Sequence, residues 1–473
     1  MESNNEKNLL KTTKKVFIFN KNRFNSIHNN EKFKNLNQYN ENSKLKNSID
    51  FLSSINFKNY SSFYKRNNLD NFVSLRNNLP NSTSKYKYPL SVDTWDEKEL
   101  LSINRVVMSN RFTFGEKVKE FESSFAKHIG SKYAVMVNSG SSANLLMIAS
   151  LILDKNINLN RGDEVIVPAL SWATTYFPLH QYDLNIRFVD INKDTLNLDE
   201  EKVSQAITKK TKAIFAVNIL GNPNNFETLK KICKKYKLIL IEDNCESLGA
   251  KFQNKYCGTF GLMGTFSFYF SHHIHTIEGG MITTNNKSLY HHCLSLRSHG
   301  WVRDLPRDNK LYKKNKNKFK DSFVFILPGY NLRPNEINGS TGLEQLKKLK
   351  HIIKQRRINA KYFKKIFKNV DYIRMQKEIG ISSWFGFSII LKKHLSNRRE
   401  EVLNILEKNG IETRPIISGD FTKNPVIKLM KSSIHGSLTN VKNIDKNGFF
   451  IGNNHINLKS QLDFFKKIIS KIN

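Results

Sequence analysis

From position 88 onward, apolar and polar residues alternate in two kinds of segment. Short apolar runs bounded by Gly, Pro or Asn predict buried strands: AVMVNS, DEVIVPAL, IRFVDI, KAIFAVNI, LILIEDN, TFSFYFS and GGMITT. Between them lie stretches such as FETLKKICKKYK, whose apolar residues recur at helical spacing. This alternation predicts an α/β fold, a mainly parallel sheet wrapped by helices, in a large domain over 88–346. The remainder opens with a long helical stretch, LEQLKKLKHIIKQRRINAKYFKKIF. It continues through DYIRM and WFGFSIILK as strands, EEVLNILEKNG as a helix and the segment IETRPI, predicting a smaller α/β domain over 347–473. There is no internal repeat and no heptad run long enough for a coiled coil.

Ahead of this the pattern stops. Residues 1–87 are rich in Asn, Lys and Ser, poor in acids, and show no sustained apolar period, which predicts a disordered basic extension. Such a leader suits an organelle transit peptide and equally an extension without function; both readings stay open. The formal charge of +35 raises nucleic acid as a partner, yet the lysines are scattered through nearly every segment rather than clustered, so nucleic acid is not the expected ligand. The longest apolar stretches, such as Leu145 to Leu153, fall short of the roughly 20 residues that span a bilayer. Cys233, Cys245, Cys257 and Cys293 are too few and too separated for a disulfide framework or an iron–sulfur cluster, and no secretory apolar segment follows Met1. A cytoplasmic setting is expected, with organelle import if the leader is a transit peptide.

Chemistry concentrates at the ends of the predicted strands. VNSGSSANLLMIASL places a hydroxyl-rich turn between a strand and a helix, a geometry in which free amides and the helix dipole attract phosphate. Gly140 lets an anion approach, and Ser141 and Ser142 add hydroxyls; a Gly/Ser turn kept for backbone reasons is the plain alternative. Asp243 ends the run LILIED, so its carboxylate is expected at the carboxyl edge of the sheet, where it wants a cationic partner; a turn-capping Asp is the alternative. Trp172 follows another strand and is placed to lie against a planar ligand, or simply to pack. Ser267 lies on a strand before an unusual run of histidines that ends at Glu278, Gly279 and Gly280.

In order and spacing, NSGSSANLL, VPALSWATT, IEDNCESLGA, FSFYFSHHIHTIEGG and PGYNLRPNEINGSTGLEQL resemble the DegT/DnrJ-type nucleotide-sugar aminotransferases, a fold type I family that uses pyridoxal 5'-phosphate. The resemblance covers nearly everything after residue 88. It implies that Asp243 pairs with the pyridine nitrogen, that Gly140, Ser141, Ser142 and Ser267 hold the phosphate, that Trp172 stacks on the ring and that Glu246 joins the cofactor set. It also implies a homodimer with shared active sites, Asn331 reaching the phosphate of the neighbouring subunit.

One position departs from that pattern. Six residues before Glu278 the aminotransferases carry the lysine that bonds the cofactor, whereas this chain has His272, with Ser271, His273 and His275 nearby. Imidazole forms no stable imine with an aldehyde, so the cofactor is expected to be held non-covalently as pyridoxamine or pyridoxal phosphate. A histidine here resembles the 3-dehydratases of 3,6-dideoxysugar synthesis, on SHHI, HGW, GNPNNF, SSWFGFS and the pair Gly452 and Asn453. That resemblance implies removal of the carbon 3 hydroxyl from a nucleotide-linked 4-keto-6-deoxyhexose of the GDP-4-keto-6-deoxymannose type, for lipopolysaccharide O-antigen. L-glutamate resets the cofactor, and neither a metal nor a reductase is needed. His272, with an ordinary pKa of about 6.5, is the expected acid and base. His299 is expected to assist proton handling, and Arg414 to meet an anion of substrate or glutamate. A sugar aminotransferase would retain nitrogen in its product instead of releasing ammonia, and a non-catalytic member of the same fold would do neither.

Overall fold

The computed structural model describes residues 85–472, so nearly all of the extension expected over 1–87 lies outside the described residues. Eight strands form one sheet in the order Tyr133–Val137, Gly280–Thr284, Met263–Ser267, Ile239–Asp243, Thr211–Val217, Glu164–Pro168, Asn185–Val189 and Ser432–Ile434. All pairings are parallel except the two made by Gly280–Thr284. The seven apolar runs of the sequence supply seven of these strands. They are buried on both faces, because helices such as Gly140–Leu153 and Phe226–Tyr236 cover them.

The eighth strand was not legible from periodicity. Ser432–Ile434 is exposed along its length and pairs in parallel with Asn185–Val189. Phe421, Val441 and Ile444, which flank it, pack in the same apolar cluster as Val167 and Phe188. Part of the region after 347 is thus built into the large sheet.

A second, four-stranded antiparallel sheet follows the order Ile373–Arg374, Gly386–Leu391, Gly448–Gly452 and Thr413–Arg414. Helix Glu336–Phe367 serves both sheets, and the junction expected at 346 falls inside it. Its Leu349, Ile352 and Ile353 pack with Met136 and Phe266, while Ala360, Phe363 and Phe367 pack with Phe387 and Phe465. One apolar stripe running from core to core leaves no reason for the helix to break. Among the described residues no helix is long and apolar enough to cross a membrane.

Candidate active site

The strand ends converge on one small region. Strand Tyr133–Val137 runs into Ser139, which caps helix Gly140–Leu153: its Oγ accepts from Ser142 N at 3.1 Å and donates to Ser142 Oγ at 2.9 Å. The first amides of this 14-residue helix have no partner within it, the arrangement that binds phosphate. Gly140 is required here by space. A Cβ on it would meet Ser267 Cβ at 2.5 Å and Cys245 Sγ at 3.1 Å, so the turn, the end of Met263–Ser267 and the residues after Asp243 share one floor. Gly280 brings the antiparallel strand against the backbone of Ser139 in the same place.

Asp243 is 5% exposed. Its Oδ2 accepts from Asn144 Nδ2 and Thr175 Oγ1, both at 2.9 Å, and its Oδ1 accepts from Cys245 N at 3.1 Å. All three donors are neutral. A buried carboxylate held this way is oriented but not charge-compensated, which suits a cationic ligand atom. Asn144 and Thr175 were not singled out from the sequence. Asn144 also accepts from Thr265 Oγ1 at 2.6 Å, locking the amide between helix and sheet. Trp172 precedes helix Ala173–Gln181, which carries Thr175, and its indole is 59% exposed, open to a planar partner rather than packed in the core.

His272 sits in the loop between strands Met263–Ser267 and Gly280–Thr284. Its backbone N–H donates to Tyr269 O at 2.9 Å, and its ring lies 5.3 Å from that of Phe385 and 6.1 Å from that of Tyr269. Nδ1 is enclosed and has no hydrogen-bond partner, leaving Nε2 as the nitrogen for a substrate. Burial pushes its pKa down to about 3, with Arg356 and His275 acting in the same direction. The expectation of a group titrating near 6.5 is therefore corrected: the imidazole is neutral throughout the neutral range, and a bound anion beside it would raise its basicity. Phe385 N donates to Leu220 O at 3.0 Å, and Leu220 N donates to Glu246 Oε2 at 2.9 Å, linking the wall beside His272 to the turn after Asp243.

Three further expected residues, Asn331, His299 and Arg414, are exposed, and Asn331 precedes Leu332, whose carbonyl accepts from Asn138 N at 3.0 Å beside the turn. Asn331 is exposed, and Arg333 Nε donates to its Oδ1 at 3.0 Å. His299 is exposed with φ of 62° and follows Ser298, which bridges to Asn331. Arg414 is exposed on an edge strand and lies 3.7 Å from Glu412. A cavity of about 580 Å³ lined by Phe114, Glu122, Tyr133, Tyr290 and Arg297 shares no residue with the site.

The model of the DegT/DnrJ/EryC1/StrS aminotransferase family matches residues 93–459. GDP-4-keto-6-deoxy-D-mannose 3-dehydratase of Yersinia pseudotuberculosis is 53% identical over 386 residues, covering 81% of this chain and 98% of that protein. A solved structure of the E. coli GDP-4-keto-6-deoxy-D-mannose-3-dehydratase with bound hydrated PLP superposes with a TM-score of 0.80 at 52% identity, covering 81% of this chain and 99% of the other. A structure of GDP-4-keto-6-deoxymannose-3-dehydratase with a trapped PLP-glutamate geminal diamine matches equally, with a TM-score of 0.80 and 52% identity over 81% of this chain and all of the other.

Proposed function

The chain belongs to the DegT/DnrJ/EryC1/StrS aminotransferase family, and from that footing we propose that it removes the carbon 3 hydroxyl of GDP-4-keto-6-deoxy-D-mannose. Its cofactor forms are pyridoxamine and pyridoxal 5'-phosphate, and L-glutamate is the amino donor. The observation that carries this reading is His272, an imidazole on the loop where the family's lysine would bond the cofactor. Glutamate is supported by the relative that trapped it on PLP. The product class places the chain in dideoxysugar formation for lipopolysaccharide, and we propose a cytoplasmic setting, in keeping with its four free cysteines.

Two features support the fit of the cofactor. Gly140 opens a cradle that a Cβ would fill, and Asp243 is buried with neutral donors only. Gly140, Ser141, Ser142 and Ser267 would hold the phosphate, Asp243 the proton on the ring nitrogen, and Trp172 the ring face. When bound, the cofactor supplies a primary amine for the sugar's keto carbon and a pyridinium that draws electrons from it. His272 Nε2, neutral at pH 7, would accept the proton released from the carbon that bears the cofactor's amine and return it to the oxygen leaving carbon 3, which departs as water. With no amine at 272, the cofactor would be held without a covalent bond to the loop, which favours loss of water over release of an amino sugar. We further propose a homodimer in which Asn331 reaches the neighbouring site, supported by its exposure and by the solvent-facing rings of Phe319, Phe323 and Phe325.

The test is to incubate the protein with pyridoxamine phosphate, L-glutamate and GDP-4-keto-6-deoxymannose, and to follow sugar mass and ammonia. Loss of the carbon 3 hydroxyl with ammonia release is expected. His272→Asn should lower that rate by at least about 100-fold, the usual worth of a positioned acid–base group, while cofactor absorbance is retained. A stable amino sugar as product would make the chain an aminotransferase and overturn the reading.

A further inference from the structure

The ring of His272 has no hydrogen-bonded orienter. Its Nδ1 is unpartnered, and the rings of Phe385 and Tyr269 lie against it. A base must nevertheless stand within hydrogen-bond reach of the atoms it serves. Its placement therefore depends on the backbone that carries it, and that backbone is held three residues further on, at His275.

His275 is 6% exposed and held at its ring Nε2, its ring face, its amide and its carbonyl, with Nδ1 left unpartnered. Its Nε2 lies 3.0 Å from Asp93 Oδ1, which also accepts from Trp95 N at 2.9 Å. With a carboxylate as partner, Nε2 carries the hydrogen. The indole of Trp95 stacks on the imidazole, centroids 5.1 Å apart and planes 5° from parallel, and Trp95 Nε1 donates to the carbonyl of His275 at 3.3 Å. The amide of His275 donates to Gln345 Oε1 at 3.2 Å, and the same oxygen accepts from Thr94 Oγ1 at 2.6 Å. Residues 93–95 thus hold the ring edge, ring face and carbonyl of His275, while helix Glu336–Phe367 holds its N–H. On either side the loop is tied by His273 Nε2 to Ser383 O at 3.2 Å and by Thr276 N to Phe268 O at 3.0 Å.

We infer that Asp93 and Trp95, acting through His275, form a clamp that fixes the loop so that His272 meets the substrate, which makes all three positioning residues for dehydration. This rests on the reading of function given above. None of the three has to touch substrate or cofactor. The clamp is a carboxylate–histidine pair displaced three residues from the base, steering the loop rather than the ring.

Asp93→Ala removes the acceptor at a half-exposed position, where the fold tolerates the loss, and Asp93→Asn keeps an acceptor oxygen. Two readouts are taken on the full chain with pyridoxamine phosphate: steady-state kinetics, and deuterium uptake of the peptide spanning 269–278 by mass spectrometry. Asp93→Ala is expected to speed exchange in that peptide and to lower kcat by about 10- to 100-fold with KM for the sugar nucleotide little changed, the effect of shifting a reacting group by about 1 Å. Asp93→Asn should recover most of both. Unchanged exchange, or faster exchange with unchanged kcat, overturns the clamp. A wild-type chain that fails to dehydrate the sugar overturns the reading of function instead, and the exchange of the two variants still decides whether Asp93 fixes the loop.

Discussion

At the scale of single residues, protonation is set by burial more than by neighbours. The carboxyl of Glu246 is pushed up to about 8 by burial, helped by the charge of Asp243 and opposed by the N–H of Leu220. Unfolded, it would titrate at about 4.3. The folded chain therefore keeps a proton across that interval, and the stability this contributes is full below about pH 4.3 and lost as pH rises through about 8. His272 and His273 are shifted downward and act with the opposite sign, but only below about pH 6.5. Cofactor-free protein should thus show a lower urea midpoint at about pH 8.5 than at about 6.5, and Glu246→Gln should flatten the difference. Equal midpoints in the unaltered chain would refute the shift. Gly140, Asp243 and Ser267 were legible because each ends or follows an apolar run. Asn144 and Thr175 were not: they are ordinary polar residues in helical stretches, 99 and 68 positions away from the carboxylate they hold.

At the scale of elements, helix ends are finished by groups from elsewhere. Glu336, the first residue of the long helix, is 4% exposed and accepts from Lys117 N at 2.9 Å and Val118 N at 3.0 Å, capping helix Glu116–Ile129 across 219 and 218 positions. Gly115, the N-cap residue, has no side chain for the task. Glu336→Ala should lower the unfolding free energy by about 2 kcal/mol, a charge-assisted cap lost from buried amides, while Glu336→Gln should lose about half of that. Equal midpoints for wild type and Glu336→Ala in urea would show that water replaces the cap. Local pattern announced the seven long strands, since five apolar residues between breakers have few alternatives. Ser432–Ile434 escaped it because three residues carry too little pattern and its partner, Asn185–Val189, lies about 246 positions back, the separation of Ser433 and Arg187. Gly448–Gly452 escaped as well, being a short GFFIG run with glycine at both ends that is defined by its antiparallel register with Gly386–Ile390.

At the scale of the whole molecule, composition argued mainly by exclusion, and the diffuse charge of +35 left fold and site to the ordered motifs. The exposed rings of Phe319, Phe323 and Phe325, 84%, 77% and 54% accessible, lie on the segment leading to Asn331. Light scattering should return twice the chain mass of 54.9 kDa, and Phe323→Asp with Phe325→Asp should shift it toward one chain and remove activity. A fully active species of 54.9 kDa would refute the shared site. Helix Glu336–Phe367, with 32 residues, is about 48 Å long and reaches His272 from two directions. Asn338 and Gln345 hold the loop, through Thr276 O at 2.7 Å and His275 N at 3.2 Å. Arg356 Nη1 donates to Phe385 O at 3.0 Å and so holds the ring that walls the imidazole. Base and wall are thus registered to the same helix, the loop of His272 near its start and the ring of Phe385 two-thirds along it.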